Sequence, residues 1–323
     1  MADDLLGLAD VIGDGLDLSD IEVSDILKAT PLLGAMAMEE SSNGSTHKYS
    51  KETGAPVVGF RAVNAGRDMD HSTDTEVTVT LKYLDFSWLV DTARAEECKR
   101  GQEWLIAKEG LRHVAAAITK HEAQVINGVI GASDSAAASG DAAGYTGIRD
   151  ASTVDAVADS LVVDATGTTA DTASSVYGVR LASNGVVGVY KGDGPAISLG
   201  ETTIVKNIVN PGTDNKTHAA YYTPGGIWLG LQVGSAYDLG RIANLTEDSG
   251  KGLTDDLIAD LLAAYPVDKM PTHLVMSRRS RKQLQQARTA TTTSGAPAPF
   301  PTEAFGVPII VSDNVSDTEE LLS

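Results

Sequence analysis

Several things are scarce in this sequence, and each scarcity excludes something. It holds one cysteine, Cys98, in 323 residues, so neither an intrachain disulfide nor a thiolate-bound metal cluster can form. Cys98 reads as a small half-buried hydrophobe. Aromatic residues amount to 5 %, which leaves small and β-branched side chains to fill the interior. Basic residues number 25 against 44 acidic ones, a formal net charge of −19. Nucleic acids and anionic membranes are bound through phosphate neutralisation by Lys and Arg, so a general affinity of that kind is excluded. No apolar run reaches the ~18 residues a membrane-spanning helix needs, and the opening Met-Ala-Asp-Asp lacks the basic stretch of a secretory signal. Composition predicts a soluble, cytosolic-type chain of one large or two medium domains.

Signatures of catalysis are missing as well. His121-Glu122 opens like the helical zinc motif of metalloproteases, but Val125 stands where the second histidine is needed; His121 reads as a structural histidine. No G-x-S-x-G elbow occurs, and GKGLTDD lacks the Lys-Ser/Thr ending of a phosphate loop. Gly13-Asp14-Gly15 has neither the later glycine nor the preceding strand of a dinucleotide site. The six histidines (47, 71, 113, 121, 218 and 273) fall in different predicted elements. The sequence predicts no catalytic residue, no metal and no cofactor.

What is present is organised around WLIAKEGLRHVAAAITKHEAQVINGVI, Trp104 to Ile130. Steps of three and four give Trp104, Ala107, Leu111, Val114, Ile118, His121, Val125 and Val129, while Glu109, Arg112, His113, Lys120, Gln124 and Asn127 fall on the other side. This is the pattern of an amphipathic helix, roughly 40 Å long at 1.5 Å per residue and several turns longer than the average. The small-residue linker GASDSAAASGDAAG follows. A single long helix between β-rich segments predicts a spine.

Before the spine, residues 1–40 read as an arm. Ser19 and Asp20 can cap a short helix carrying Ile21, Val23, Ile26 and Leu27, and PLLGAMAM follows; the segment is apolar yet broken by glycine and too poor to form a domain alone, so it must lie on its own body or on a neighbour. Ser41–Thr46 is a loop. PVVGFRAV (Pro56–Val63) and EVTVTLKYL (Glu76–Leu84) read as two strands joined by the polar stretch 64–74, a long hairpin. An isolated hairpin is marginal in water, so this one must rest on another surface. After the linker, Val176–Leu181 and Val186–Tyr190 flank Ser183-Asn184-Gly185, a hairpin signal. Thr202–Val209 and Gly226–Val233 are further strands. Leu253–Tyr265 is a helix with Leu257, Leu261 and Ala264 on one face, capped by Thr254 and stopped by Pro266. His273–Met276 is a strand, Ser277–Arg288 a helix capped by Ser277, and Gly306–Val311 a strand in which Pro308 points to an edge position.

The one basic cluster is Arg278, Arg279, Arg281, Lys282 and Arg288. It reads as a solvated helix face or as a contact with an acidic surface, either phosphate or a neighbouring subunit; the stacking aromatics or further basic residues expected for DNA binding do not accompany it. At the hairpin, Asp68, Asp70 and Asp74, with Arg67 and His71 among them, are placed for ion pairs between subunits. Such exposed pairs contribute about 0.2–1 kcal/mol each and set register more than strength. The candidate intersubunit contacts are therefore Arg67, Asp68, Asp70, His71, Asp74, Arg278, Arg279 and Arg281.

The order of arm, unsupported hairpin, long helix and mixed α/β region, together with SSVYGVRLASNGVVGVYKGDG and PTHLVMSRRSRKQLQQARTATTTSGAPAPFPTEAFGVPIIVSDNV, resembles the major capsid proteins of tailed phages with the Hong Kong 97-like fold. The resemblance covers most of the chain and is most specific over residues 271–315. It implies an α+β fold divided into an N-terminal arm (1–40), an extended hairpin or E-loop (41–92), a spine helix and linker in the peripheral domain (93–145), a mostly axial α/β region (146–305) and a closing strand (306–323). The corresponding function is a non-enzymatic shell protein forming hexamers and pentamers around double-stranded DNA, without sequence-specific contact. Portal and scaffolding or decoration proteins are the implied partners, the virion the implied site, and the host cytoplasm the place of assembly. Relatives continue well past the Gly-Val-Pro strand, whereas this sequence ends at Ser323, so earlier strands are expected to close the sheet or the peripheral domain to be small. Lys48, Lys51 and Lys82 flank the hairpin, but nothing marks a partner asparagine or glutamate for a crosslink. An encapsulin-like compartment with a cargo groove is the alternative within this fold; a monomeric α+β hydrolase or binding module, with the hairpin as a lid, is the alternative outside it.

Overall fold

The computed structural model describes residues 30–68, 70–129, 140–153, 157, 159–192, 197–209, 217–291 and 296–322. The predicted helix of residues 19–27 and most of the small-residue linker lie outside them. In chain order the elements are α1 (Pro31–Ala35), β1 (Met38–Glu40), β2 (Thr46–Gly54), β3 (Thr73–Thr80), β4 (Lys82–Asp85), β5 (Trp88–Asp91), α2 (Thr92–Glu97) and α3 (Gln102–Asn127). There follow α4 (Ile148–Ala151), β6 (Val162–Asp164), β7 (Ser174–Val179), β8 (Val186–Tyr190), β9 (Ile197–Leu199), β10 (Thr203–Val209), β11 (Thr217–Thr223), β12 (Gly225–Val233) and β13 (Leu239–Leu245). The chain closes with α5 (Asp255–Ala264), β14 (His273–Met276), α6 (Arg278–Thr291), β15 (Glu303–Ala304) and β16 (Val307–Val311).

Two compact units result, one holding residues 84–121 and 197–227, the other 30–83, 122–196 and 228–323. The first is a three-stranded antiparallel sheet, β10-β11-β5, with the first five turns of α3. Trp88 and Val90 alternate inward along β5 and pack with Phe86, Ala95 and Leu105, flanked by Trp104, Ile106, Val114, Ala117 and Tyr221. Helix α3 passes so close to Trp88 that a Cβ on Gly110 would stand 2.7 Å from the indole ring; only glycine fits there. Trp104 lies between Arg100 and Lys108, each 5.0 Å from its ring centre, a cation–π arrangement.

The second unit is built on a six-stranded mixed sheet, β15-β16-β14-β7-β13-β6. Val176, Ile242, Leu245, Leu274 and Met276 bury one face against Ile258, Leu261, Leu262 and Tyr265 of the α5 region and Leu284 of α6. Both helices start as the sequence predicts. Thr254 accepts from Leu257 N at 3.4 Å and Ser277 Oγ from Ser280 N at 3.1 Å, satisfying amide donors that a helix N-terminus leaves unpaired. Earlier strands do complete this sheet around β16. Pro308 is not at the margin itself, since the two-residue β15 pairs outside it, Glu303 opposite Pro308. On the sheet lies a buried carboxylate, Glu319, bound by Arg241 Nη2 at 2.9 Å, Ser175 Oγ at 2.6 Å and Tyr177 Oη at 3.2 Å, with Arg149 at 4.0 Å.

A further sheet has the order β1-β8-β12-β4. Its parallel β1–β8 pairing, Met38 opposite Gly188, shows that the end of the predicted arm lies on its own body. The Ser183-Asn184-Gly185 turn exists, with Gly185 N donating to Ala182 O at 2.8 Å, but it joins no hairpin. Its flanking strands β7 and β8 belong to different sheets, because their apolar residues are drawn to different partners, β7 to β13 and β14, β8 to β1 and β12.

The predicted spine stripe holds only in part. Ile118 is exposed, and Gln124 and Asn127, expected on the polar side, are buried. The last turns of α3 are enclosed on all sides, and their polar groups are bonded internally: Gln124 Nε2 donates to Tyr145 O at 2.6 Å and Asn127 Nδ2 to Asn314 O at 2.8 Å. Glu122, fully buried, accepts from Leu32 N at 3.0 Å, Leu33 N at 3.3 Å, Ser312 Oγ at 2.5 Å and Asn314 Nδ2 at 3.1 Å. It caps α1 from a distance, a task the preceding Thr30 side chain does not perform.

Two predictions follow from these buried groups. Glu122→Ala strands four donors and should lower the unfolding free energy of the subunit by on the order of 3 kcal/mol, read from urea denaturation, while limited proteolysis near residues 30–40 accelerates. Burial also pushes His121 down to about 4 from an ordinary 6.5. The unfolded chain therefore takes up the proton first. Stability is complete above about pH 6.5 and falls as pH drops towards about 4, by on the order of 3 kcal/mol; His121→Asn should flatten that part of the profile.

Candidate assembly surface

The hairpin is formed by β2 and β3, paired from Thr46 opposite Thr80 to Gly54 opposite Thr73. Its first strand is thus THKYSKETG, and PVVGFRAV, expected to be that strand, is the loop at the tip. The misreading has a physical cause. β2 has few apolar residues and no strong two-residue period, while Val57, Val58 and Val63 carry high strand propensity that nothing in the chain uses. One face of the hairpin, with Tyr49, Val77 and Val79, is half-buried. It rests on β12: Tyr49 Oη donates to Val233 O at 2.8 Å, and Val79 and Leu81 lie against Gly230. The other face is polar, with a Lys48–Glu76 ion pair at 2.7 Å; nearer the tip, on the same side as Val77, the hydroxyls of Thr53, Thr73 and Thr75 are in contact. The root of the hairpin therefore has the support it needs within the chain.

Its tip does not. Val57, Val58, Phe60 and Val63 are 64, 82, 111 and 90 % exposed. Four large apolar side chains within seven residues form a patch of the kind that marks a contact surface. Covering each would contribute about 1.5–3 kcal/mol before the entropy of ordering is subtracted. Pro56 and Gly59 were the sequence signal that this run is not a ladder strand.

The charged candidates are not brought to one place. Arg67 is half-buried, and Asp68, Asp70, His71 and Asp74 are exposed along the tip and the start of β3; Asp70 accepts from the neighbouring His71 N at 2.8 Å. The other three stand at the start of α6. Arg278 pairs with Asp313 at 2.5 Å, its side chain still 76 % exposed. Arg279 donates to Asp317 O, Thr172 O and Leu245 O, and the Arg281 guanidinium lies 4.8 Å from the Phe300 ring centre. Arg279 and Arg281 thus hold parts of their own chain. Beside α6 is a cleft of about 410 Å³, lined by Thr246, Asp248, Leu253, Thr254, Arg279 and Gln283 among others. Among the described residues no group of three or more His, Cys, Asp or Glu is placed to hold a metal ion, and no helix is long and apolar enough to cross a membrane.

Comparison of the whole structure identifies the fold. A chain of the bacteriophage Epsilon15 structure superposes with a TM-score of 0.64 over 100 % of this chain and 98 % of its own, at 16 % identity. The capsid of bacteriophage JBD30, in particles decorated with minor capsid protein trimers, gives 0.52 over 96 % and 99 %, at 11 % identity. An encapsulin of Synechococcus elongatus PCC 7942 gives 0.46 over 74 % and 94 %, at 11 % identity, an overlap too low to bear on the choice. Among curated proteins there was no match. The fold is that of tailed-phage capsid proteins, the Hong Kong 97-like fold. The family described as major capsid protein GP7 matches residues 17–323, and the chain belongs to it. It is a structural subunit of a phage capsid.

Because the tip side chains touch little of their own subunit, Phe60→Ser and Val58→Ser should leave the unfolding free energy of the isolated subunit unchanged within about 0.5 kcal/mol, measured by urea denaturation. A loss of several kcal/mol would place the tip in the subunit's own core.

Proposed function

We propose that copies of this chain close into the icosahedral head shell that encloses the double-stranded DNA of a tailed phage, with the hairpin tip of each subunit covered by a neighbour. The observation that carries this reading is the uncovered apolar run Val57–Val63 at the end of a hairpin whose root is supported. A contact made by one patch on a different patch of the next copy is heterologous, and heterologous contacts close into rings when the rotation permits. Hexamers and pentamers are such rings, and many interfaces of about 800 Å² per partner make a shell stable although each is modest.

In this reading residues 1–40 are the N-terminal arm, 41–92 the extended hairpin, 93–145 the spine and linker, 146–305 the mostly axial region and 306–323 the closing segment. Arg67, Asp68, Asp70, His71 and Asp74 form the polar rim around the apolar tip, and Arg278 is the cation of its cluster most open to a neighbour. Assembly takes place in the host cytoplasm with portal and scaffolding or decoration proteins as partners. The subunit's role is structural, without catalysis, and the net charge of −19 lets packed DNA move past the wall without adhering.

The test is assembly of the Val58→Ser/Phe60→Ser double variant, followed by sedimentation and electron microscopy. Loss of most closed shells, with folded subunits or capsomers accumulating, is expected. Shells in normal yield would overturn the assignment of the tip as the contact.

A further inference from the structure

Two stretches of the second unit cross between the same two sheets side by side. Residues 180–185 lead from β7 in the six-stranded sheet to β8, and residues 234–238 lead from β12 back to β13. The strands are paired on both sides of the crossing, Val179 opposite Leu239 before it and Val186 opposite Val233 after it. The covalent link between the sheet that seats the hairpin and the six-stranded sheet here is therefore a pair of short antiparallel crossovers. At that point the ladder is reduced to two backbone bonds, Arg180 N to Asp238 O at 2.9 Å and Gly234 N to Gly185 O at 3.0 Å.

One side chain spans the gap. Arg180 Nη1 donates to Asp238 Oδ1 at 2.7 Å and Nη2 to Asn184 Oδ1 at 2.8 Å, so a single guanidinium ties both crossovers together. Asp238 is fully buried, and its second carboxylate oxygen has no hydrogen-bond partner among the described residues. Its charge is thus answered chiefly by Arg180, and a buried pair held by one contact is strongly sensitive to loss of either member. The chain is also crowded here: a Cβ on Gly234 would stand 2.4 Å from Asn184 O. The hairpin is anchored next to this point through Tyr49 and Val233. Burial and, after it, the charge of Asp238 raise the Tyr49 and Tyr265 phenols, so that charge is felt both at the root of the hairpin and beneath the six-stranded sheet.

We propose that residues 180–185 and 234–238 form a two-chain hinge, and that the Arg180–Asp238 pair locks its angle and so sets the direction in which the hairpin leaves the subunit. The proposal rests on the shell reading. A closed shell asks one chain to occupy positions of different curvature, and a hinge with a single ionic lock lets the hairpin change direction while both sheets keep their cores.

The hinge itself is tested on dissociated full-length subunits, where assembly plays no part. In Asp238→Asn, hydrogen exchange of the amides of residues 180–186 and 234–239 should rise by about tenfold or more, with β14, β16 and the β1–β8 pairing unchanged. Unchanged crossovers, or faster exchange spread through both sheets, would each overturn the hinge. If Asp238→Asn does not fold, Arg180→Lys, which keeps the charge and loses the fork that reaches Asn184, is measured in the same way. The link to shell geometry is read separately, from the diameters of assembled particles by electron microscopy. A broadened or bimodal distribution is expected in the variant. A single wild-type diameter beside a loosened hinge would overturn that link while leaving the tip assignment, tested by the serine variants, untouched.

Discussion

At the end of the long helix the carboxylate of Glu122 is cut off from water, and a charge in that position is tolerable only if protein donors replace its hydration. Leu32 and Leu33 supply two amides, Ser312 a hydroxyl and Asn314 an amide group. These come from the start of the described chain and from near its end, while Glu122 itself stands on the long helix. The requirement to satisfy one buried charge therefore fixes three distant segments at a single place. Gln124 and Asn127, both within about a turn and a half of Glu122 along the helix, extend the same logic to the 140–145 segment and the 314 turn. α1 is only five residues long and would not persist in isolation. It exists because its free N-terminal amides are the donors Glu122 needs, so the position of residues 31–35 is set by electrostatics.

Stability and contact are carried by different parts of the molecule. The six-stranded sheet with α5 and α6 buries large aliphatic side chains without gaps in its pattern, and β7 and β13 are buried along their whole length. The hairpin does the reverse. Its ladder runs from Thr46 to Gly54 with one irregularity before Gly54, its stem is largely polar, and its apolar residues are gathered at the tip, where the described residues offer no cover. A folded subunit can therefore carry this patch without destabilising itself. The consequence is exposure to adventitious pairing, which the polar stem limits by leaving little apolar surface except the few residues at the tip.

How much of this was legible depended on whether a local signal had a local cause. Thr254, Pro266 and Ser277 marked helix ends because capping and proline sterics act within a few residues. His273–Met276 was found to the residue because a short apolar run beside a helix cap has few alternatives. The hairpin was foreseen as an element but misplaced by its own tip, since Val57, Val58 and Val63 look like strand residues whether or not a partner strand exists. Asn184-Gly185 announced a turn correctly but could not say that the two strands would leave for different sheets, which is decided by residues 40 and more positions away. The exposed contact candidates fared likewise. A sequence cannot distinguish Arg278, open to solvent, from Arg279, one residue on, whose guanidinium is bound by carbonyls of residues 172, 245 and 317.

The same distinction alters the meaning of the net charge. Arg149, Arg180, Arg241 and Arg279 hold buried or half-buried positions, where they bind Glu319, Asp238 and Asp317. Only three acidic residues are neutralised with these four cations, and most of the remaining acids stand on the surface. The exterior of the subunit is thus poorer in free cations than a ratio of 25 to 44 conveys. In the proposed shell reading that distribution bears on how the wall meets DNA. Phosphate binding requires mobile, accessible Lys and Arg that release counterions, and arginines already engaged by buried carboxylates cannot provide it. Pairing the acids Glu319, Asp238 and Asp317 thus also withdraws four arginines from phosphate binding.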